Sequence, residues 1–259
     1  MNNAIAFRAD DFGLCEAVNF GVAETVTSGA NRGVVKNVSM QANGLAAEHA
    51  ARLVRELMPG VCLGVHVSLN CEWTTHEIRP VLPASAVGSL VDSRGVLLAS
   101  PMLLHERKAS VAEMLLEAAA QIARLHELGL HPRYMDAHMG VSWLHDWDDP
   151  AFTRRLEHGL RDLCKTTGLR WIDDVPGIGL TTDLVEKRLE NPSPVVRVVG
   201  HPALSSHGGD LQMRSFAQAN QTGEDVAAER DSDRRMFTSD WLTKAVEDGT
   251  IRSVAFVES

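Results

Sequence analysis

Short apolar runs alternate with segments of helical period along nearly the whole chain, and that order constrains the fold more than any other feature. Residues 4–9, Ala-Ile-Ala-Phe-Arg-Ala, read as a buried strand, and an amphipathic segment follows from Glu16 to Ser28. Gly33-Val34-Val35 opens a second strand running to Ser39 and Met40. Residues 45–57 then carry Leu45, Ala46, His49, Leu53 and Leu57 at helical spacing. A third strand, Val61-Cys62-Leu63-Gly64-Val65, ends at His66-Val67-Ser68-Leu69. Strand, helix, strand in repetition implies parallel strands joined by crossover helices. Strands this apolar need cover on both faces.

The second half keeps the pattern. Residues 73–105 lack a period and contain Pro80, Pro83 and Pro101, which marks a long excursion. Val111, Met114, Leu115, Ala118, Ile122 and Leu125 form a helical stripe that Gly129 stops. Pro132 to Met135 forms the next strand and delivers Asp136-Ala137-His138. Phe152, Leu156, Leu160 and Leu163 mark a helix, closed by Gly168 before Leu169-Arg170-Trp171-Ile172. Val195 to Val199 is a β-branched strand ending in Gly200-His201-Pro202. Residues 203–223 read as loop, and residues 225–248 as two helical pieces with Ser239 capping the second. Val254 to Val257 reads as a last strand. The expected architecture is one irregular, closed or partly closed (β/α) barrel spanning residues 1–259 as a single domain. No GxGxxG, GxSxG or P-loop sequence occurs, so dinucleotide and nucleotide folds lack their fingerprints.

Composition narrows the partners. A formal charge of −9 argues against a nucleic-acid or anionic membrane surface. No stretch approaches the roughly 20 apolar residues of a membrane span. The N-terminus lacks a secretory pattern, so a cytoplasmic protein is expected. The four cysteines, Cys15, Cys62, Cys71 and Cys164, show no CxxC spacing and read as structural thiols.

The polar residues cluster at strand ends. Asp10 and Asp11, His66, His138 and His201 all fall at or just past the C-terminal ends of expected strands, the end that carries active sites in barrels. Each has an ordinary reading: Asp-Asp suits a solvated turn, and a lone strand-end histidine is more often a hydrogen-bonded core or rim residue. Together they suit a divalent metal, since adjacent carboxylates repel and one carboxylate with two imidazoles leaves positions open. The second aspartate is then available as a general base, and His201 to protonate a leaving group. Ligand type alone leaves hydrolysis and iron–oxygen chemistry both open.

The run Ala9-Asp10-Asp11-Phe12-Gly13-Leu14, with Asn19 and Gly21 downstream, resembles the opening motif of the YdjC-like carbohydrate deacetylases, which include chitooligosaccharide and hopanoid-associated deacetylases. Gly64 to Leu69 resembles the family's Gly-x-His-x-x-Leu, Asp136-Ala137-His138 its Asp-x-His, and His201-Pro202 its His-Pro. Arg230, Asp233 and Ser239 fall where the family has Arg-x-x-Glu-Leu leading to a serine. The resemblance implies a barrel related to polysaccharide deacetylases in which one divalent ion, zinc or magnesium, supports removal of acetyl from an N-acetyl sugar. Carried over by position, Asp11, His66 and His138 are the metal ligands, Asp10 the general base, and His201 the acid or oxyanion partner. The chain departs from the family at Met139-Gly140, where many members place a further histidine, and at Asp233, where they have glutamate. It reads as a divergent member.

Trp73 and Trp143, with Trp147, lie in loops after His66 and His138, and are candidates to stack on sugar rings or simply to pack the rim. Arg197, in a buried strand, needs a carboxylate: an active-site aspartate, or a glutamate on a covering helix. The acidic stretch 224–233, interleaved with arginines, reads as a solvated helix face. The excursion at 73–105 offers a homodimer contact. Two further readings stand beside the deacetylase: a metal-dependent enzyme of another class (another amide hydrolase, an isomerase or an oxygenase), and a silent sugar-binding protein.

Overall fold

A computed structural model of the protein describes residues 3–28, 33–73, 76–139, 150–206 and 223–258. Eight strands build one all-parallel sheet in these residues: β1 (Ala4–Phe12), β2 (Asn37–Met40), β3 (Cys62–Val67), β4 (Tyr134–Ala137), β5 (Arg170–Trp171), β6 (Gly177–Ile178), β7 (Val196–Gly200) and β8 (Arg252–Ser253). Their order is β5-β4-β3-β2-β1-β7-β6, with β8 paired to the start of β1 at Ala4 and Ile5. Among the described residues no ladder joins β5 to β6. The sheet is therefore a curled, open half-barrel, the partly closed form of the expected barrel.

Helices cover the convex face: α1 (Glu16–Thr27), α2 (Ala47–Leu57), α3 (Pro101–Glu106), α4 (Val111–Glu127), α5 (Pro150–Thr167), α6 (Leu184–Glu190), α7 (Gly223–Phe237) and α8 (Asp240–Glu247). Their apolar stripes meet Ile5, Phe7, Ala9, Val38, Met40, Val65, Val196 and Val198 in one continuous core. Strand alternation sends the remaining side chains to the concave face. There Ala4, Ala6, Cys62, Tyr134 and Ile172 form a second, smaller core, plugged by Val254, Ala255 and Phe256. Asn37 holds that plug, donating to the Val254 carbonyl and accepting from the Phe256 N–H. Gly64 is required beside it, because a Cβ there would stand 2.1 Å from the Tyr134 ring.

Several expectations change. The last strand is Arg252–Ser253; Val254 to Val257 instead turns inward, with a 3₁₀ turn from Phe256, because burying Phe256 under the barrel outweighs its strand propensity. Leu45 and Leu57 are exposed rather than part of the buried stripe of α2. The excursion packs Val87, Leu90, Leu97 and Leu98 onto the core and contains α3. β6 and α6, between residues 177 and 190, carried too short an apolar signal to be read. Ser239 does cap α8, accepting from the Leu242 N–H. The four cysteines are buried thiols outside any disulfide.

Candidate metal centre

The end of β1 breaks the alternation of the strand. Its register against β2 shifts between Ala9 and Phe12, and Asp11 takes φ 62°. Such a bulge re-aims a side chain that regular pleating would send to the other face. Both aspartates consequently reach the concave side. Gly13 completes the turn with φ 98°, close enough to the Gln41 carbonyl that a Cβ would lie 2.6 Å from it. Its N–H donates to Asn19 Oδ1 at 2.7 Å, which ties the Asp-Asp-Phe-Gly segment to α1.

Three ligand atoms converge above the polar interior. Asp11 Oδ1 lies 3.4 Å from His66 Nε2 and 3.2 Å from His138 Nδ1, and the two nitrogens are 3.1 Å apart. Asp11 and His66 are buried and His138 is half-buried. The outer nitrogens are already engaged: His66 Nδ1 is 2.7 Å from Asp136 Oδ2, and His138 Nε2 is 3.0 Å from Glu72 Oε1. A carboxylate on the outer nitrogen fixes the tautomer and turns the inner lone pair toward the ion. Two inner imidazole nitrogens and a carboxylate oxygen so disposed form a cluster able to coordinate one divalent metal ion. The residues fit the group.

The surroundings charge this cluster strongly. Burial alone raises the Asp11 carboxyl, but Arg230 at 2.6 Å and the two histidines hold it well below the usual carboxylate range. Burial lowers His66, yet Asp136 and Asp10 more than offset this and raise it to about 9. His138 is raised in the same way, by Glu72 and Asp11 against burial. Gln41 adds a hydrogen bond to Asp11 Oδ1 at 2.8 Å. Asp10 lies alongside, its Oδ2 2.6 Å from Arg8, while its Oδ1 is buried with no hydrogen bond among the described residues. His201 sits at the end of β7, its N–H donating to Asp233 at 2.8 Å, and burial lowers its imidazole pKa.

The other anticipated residues divide. Trp73 is buried, with the Arg230 guanidinium 4.9 Å over its ring. Trp143 and Trp147 lie outside the described residues, as do Gly140 and His145. Arg197 pairs with Asp173 at 2.8 Å, neither an active-site aspartate nor a helical glutamate. The stretch 224–233 is not a solvated face: Arg230 reaches Asp11, Asp233 holds His201, and Asp231 is buried against Arg234 and Arg235. Glu72, Arg8, Gln41 and Ser39, whose hydroxyl donates to Asp136 Oδ1 at 2.8 Å, escaped the sequence reading. The one usable signal among them was Arg8, a charge inside an otherwise apolar strand.

A curled parallel sheet with a buried Asp-His-His cluster at its C-terminal edge defines a class of α/β half-barrel proteins with a metal-binding centre. Residues 4–172 match the model of the YdjC-like protein family, and the chain belongs to that family. It is 34% identical to a carbohydrate deacetylase of Geobacillus stearothermophilus over 135 residues, 52% of this chain and 48% of the relative. It is 29% identical to a carbohydrate deacetylase of Halalkalibacterium halodurans over 183 residues, 69% of each chain. A chitooligosaccharide deacetylase of Serratia marcescens is 34% identical over 145 residues, 54% of this chain and 51% of the relative. The chain thus spans about half the length of the Geobacillus and Serratia relatives. A crystal structure from Enterococcus faecalis V583 superposes with a TM-score of 0.75 at 22% identity, covering 100% of this chain and 99% of that one. That likeness concerns the fold. Among the described residues no helix is long and apolar enough to cross a membrane.

Proposed function

We propose that the protein is a metal-dependent deacetylase that removes acetyl from an N-acetylated sugar or oligosaccharide. The observation that carries this reading is the meeting of Asp11 Oδ1, His66 Nε2 and His138 Nδ1 beside a second carboxylate, Asp10, whose Oδ1 is unspent. Asp11, His66 and His138 would hold the ion. A divalent ion there supplies a Lewis acid that polarises a carbonyl and acidifies water. Asp10 takes the proton of the attacking water, with Arg8 fixing its other oxygen. As the C–N bond breaks, the leaving nitrogen takes up the proton that Asp10 received; His201, at the end of β7, faces that nitrogen or the developing oxyanion, and its lowered pKa favours a neutral imidazole that donates a hydrogen bond. Asp136 and Glu72 keep the inner nitrogens of the two histidines unprotonated when the ion is bound.

The sugar assignment draws on the carbohydrate and chitooligosaccharide deacetylases among the relatives. Trp143 and Arg197 remain proposed substrate contacts, and Trp73 contributes by backing Arg230. We place the enzyme in the cytoplasm, acting on a small soluble carbohydrate.

The test is acetate release from a panel of N-acetylated mono- and oligosaccharides, using metal-stripped protein resupplied with single divalent ions. Release restored by metal is expected. Stoichiometric metal at the site with no release across the panel would move the reading to another acyl group or another reaction.

A further inference from the structure

One layer below the cluster, the concave face holds a second set of converging ligand atoms. Asp10, His66 and Asp136 each bring one donor atom, all within 4.8 Å of one another. Asp10 and Asp136 are 2% and 0% exposed. Two carboxylates so close and so dry demand a positive partner.

That partner comes from the same strand as Asp10. Arg8 is buried, with Nη2 2.6 Å from Asp10 Oδ2 and Nη1 3.1 Å from Asp136 Oδ2. A guanidinium chosen for hydrogen bonding presents its fork to one carboxylate with two parallel bonds. Arg8 does not. Among the described residues its Nε and Nη1 make no hydrogen bond, and Asp10 Oδ1 makes none either. The side chain bridges two carboxylates as a charge, in the position where a second ion would sit. The groups facing it are Asp10, Asp136 and the Tyr134 hydroxyl, with Asp173 also within its electrostatic reach and His66 Nδ1 2.7 Å from the same Asp136 oxygen that Arg8 approaches.

We propose that Arg8 takes the place of a second cation: its guanidinium neutralises Asp10 and Asp136, so the centre binds one ion and Asp10 stays beside that ion without ligating it, held through Oδ2 by Arg8. The inference rests on the reading of Asp11, His66 and His138 as the site of the single ion. Arg8 is in these terms a positioning residue, acting through Asp10 and through the Asp136–His66 pair.

The experiment is the number of manganese(II) ions bound per chain, by equilibrium dialysis and metal analysis of metal-stripped protein. Wild type and Arg8→Lys are expected to bind one ion. Arg8→Ser is expected to bind two, the second being lost again in Arg8→Ser/Asp136→Asn. One ion in Arg8→Ser, or two in wild type or Arg8→Lys, would overturn the proposal. If Arg8→Ser does not fold without metal, refolding on manganese addition supports the role and failure to refold with manganese overturns it. Wild type binding no ion while Arg8→Ser binds one would remove the Asp11–His66–His138 reading and leave the role of Arg8 standing.

Discussion

Arg230, on a helix near the end of the chain, donates to Asp11 Oδ2 at 2.6 Å, while Asp11 Oδ1 faces the two imidazoles. One carboxylate is thus divided between a fixed cation and the candidate metal position. The guanidinium itself lies over the ring of the buried Trp73, 4.9 Å from its centre.

Replacing Arg230 with alanine strands Asp11 in a buried site. Breaking one partner of a buried pair costs about 3–5 kcal/mol in general. Urea unfolding of metal-free Arg230→Ala is expected to show a loss of that order, and a divalent ion should recover part of it by neutralising Asp11. An unchanged midpoint would show that Asp11 does not depend on this contact.

Glu72 orients His138 from outside the ligand set. Glu72→Gln is expected to weaken zinc binding by about 10–100-fold, the usual effect of losing such a partner. Asp10→Asn should keep metal affinity close to wild type while abolishing acetate release. Competition against a chromophoric chelator reads the first effect; loss of metal in Asp10→Asn would assign that residue to the ligand set instead.

Metal loading should tighten as pH rises. In the metal-free fold His66 is raised to about 9, above its unfolded value near 6.5, so protonated His66 stabilises the protein fully below about pH 6.5 and that contribution is lost as pH passes 9. The ion needs the inner lone pair, so a proton must leave on binding, and affinity gains up to about tenfold per pH unit for each proton released. Calorimetry in buffers of different ionisation enthalpy counts those protons. Binding without proton release at neutral pH would exclude this linkage.

The thiols should be silent in the native state. Burial pushes Cys164 up to about 12 and also raises Cys15 and Cys71. Slow labelling by a thiol reagent at neutral pH is expected, with four thiols appearing on denaturation. Rapid native labelling of Cys71 would mean that its loop opens.

Arg188 is buried and, among the described residues, bonds only to carbonyls, those of Ala4, Asn191, Ser193 and Pro194. Arg188→Met leaves these acceptors unpaired, at about 1–3 kcal/mol for each one that water does not reach. A large fall in melting temperature with unchanged metal stoichiometry is expected. Loss of metal along with stability would tie this clamp to the centre.

The local signals were strong where a period was long. The stripe from Val111 to Leu125, the β-branched run Val195 to Val199 and the Ser239 cap each announce their element, because propensity and burial agree there. Asp11, His66 and His138 were visible because polar residues at the ends of apolar strands have few structural reasons to be there. Two-residue strands such as Gly177–Ile178 carry too little pattern to be read.

Other features depend on residues far apart in the chain. Phe256 ends inside the barrel because Asn37 and Tyr134 make a socket there, which no window around residue 256 contains. Residues 224–233 look solvated by charge alone, yet Arg230 and Asp233 serve partners more than 30 positions away in sequence or at the opposite end of the chain. The amino-acid sequence by itself determined the alternating elements, the parallel sheet and the residues that meet at its edge, since these follow from local periodicity and side-chain chemistry. Only the tertiary structure decided which carboxylate faces which cation, because a β-bulge at Asp11 and the crowding of Arg8, Asp10 and Asp136 are set by distances across the sheet.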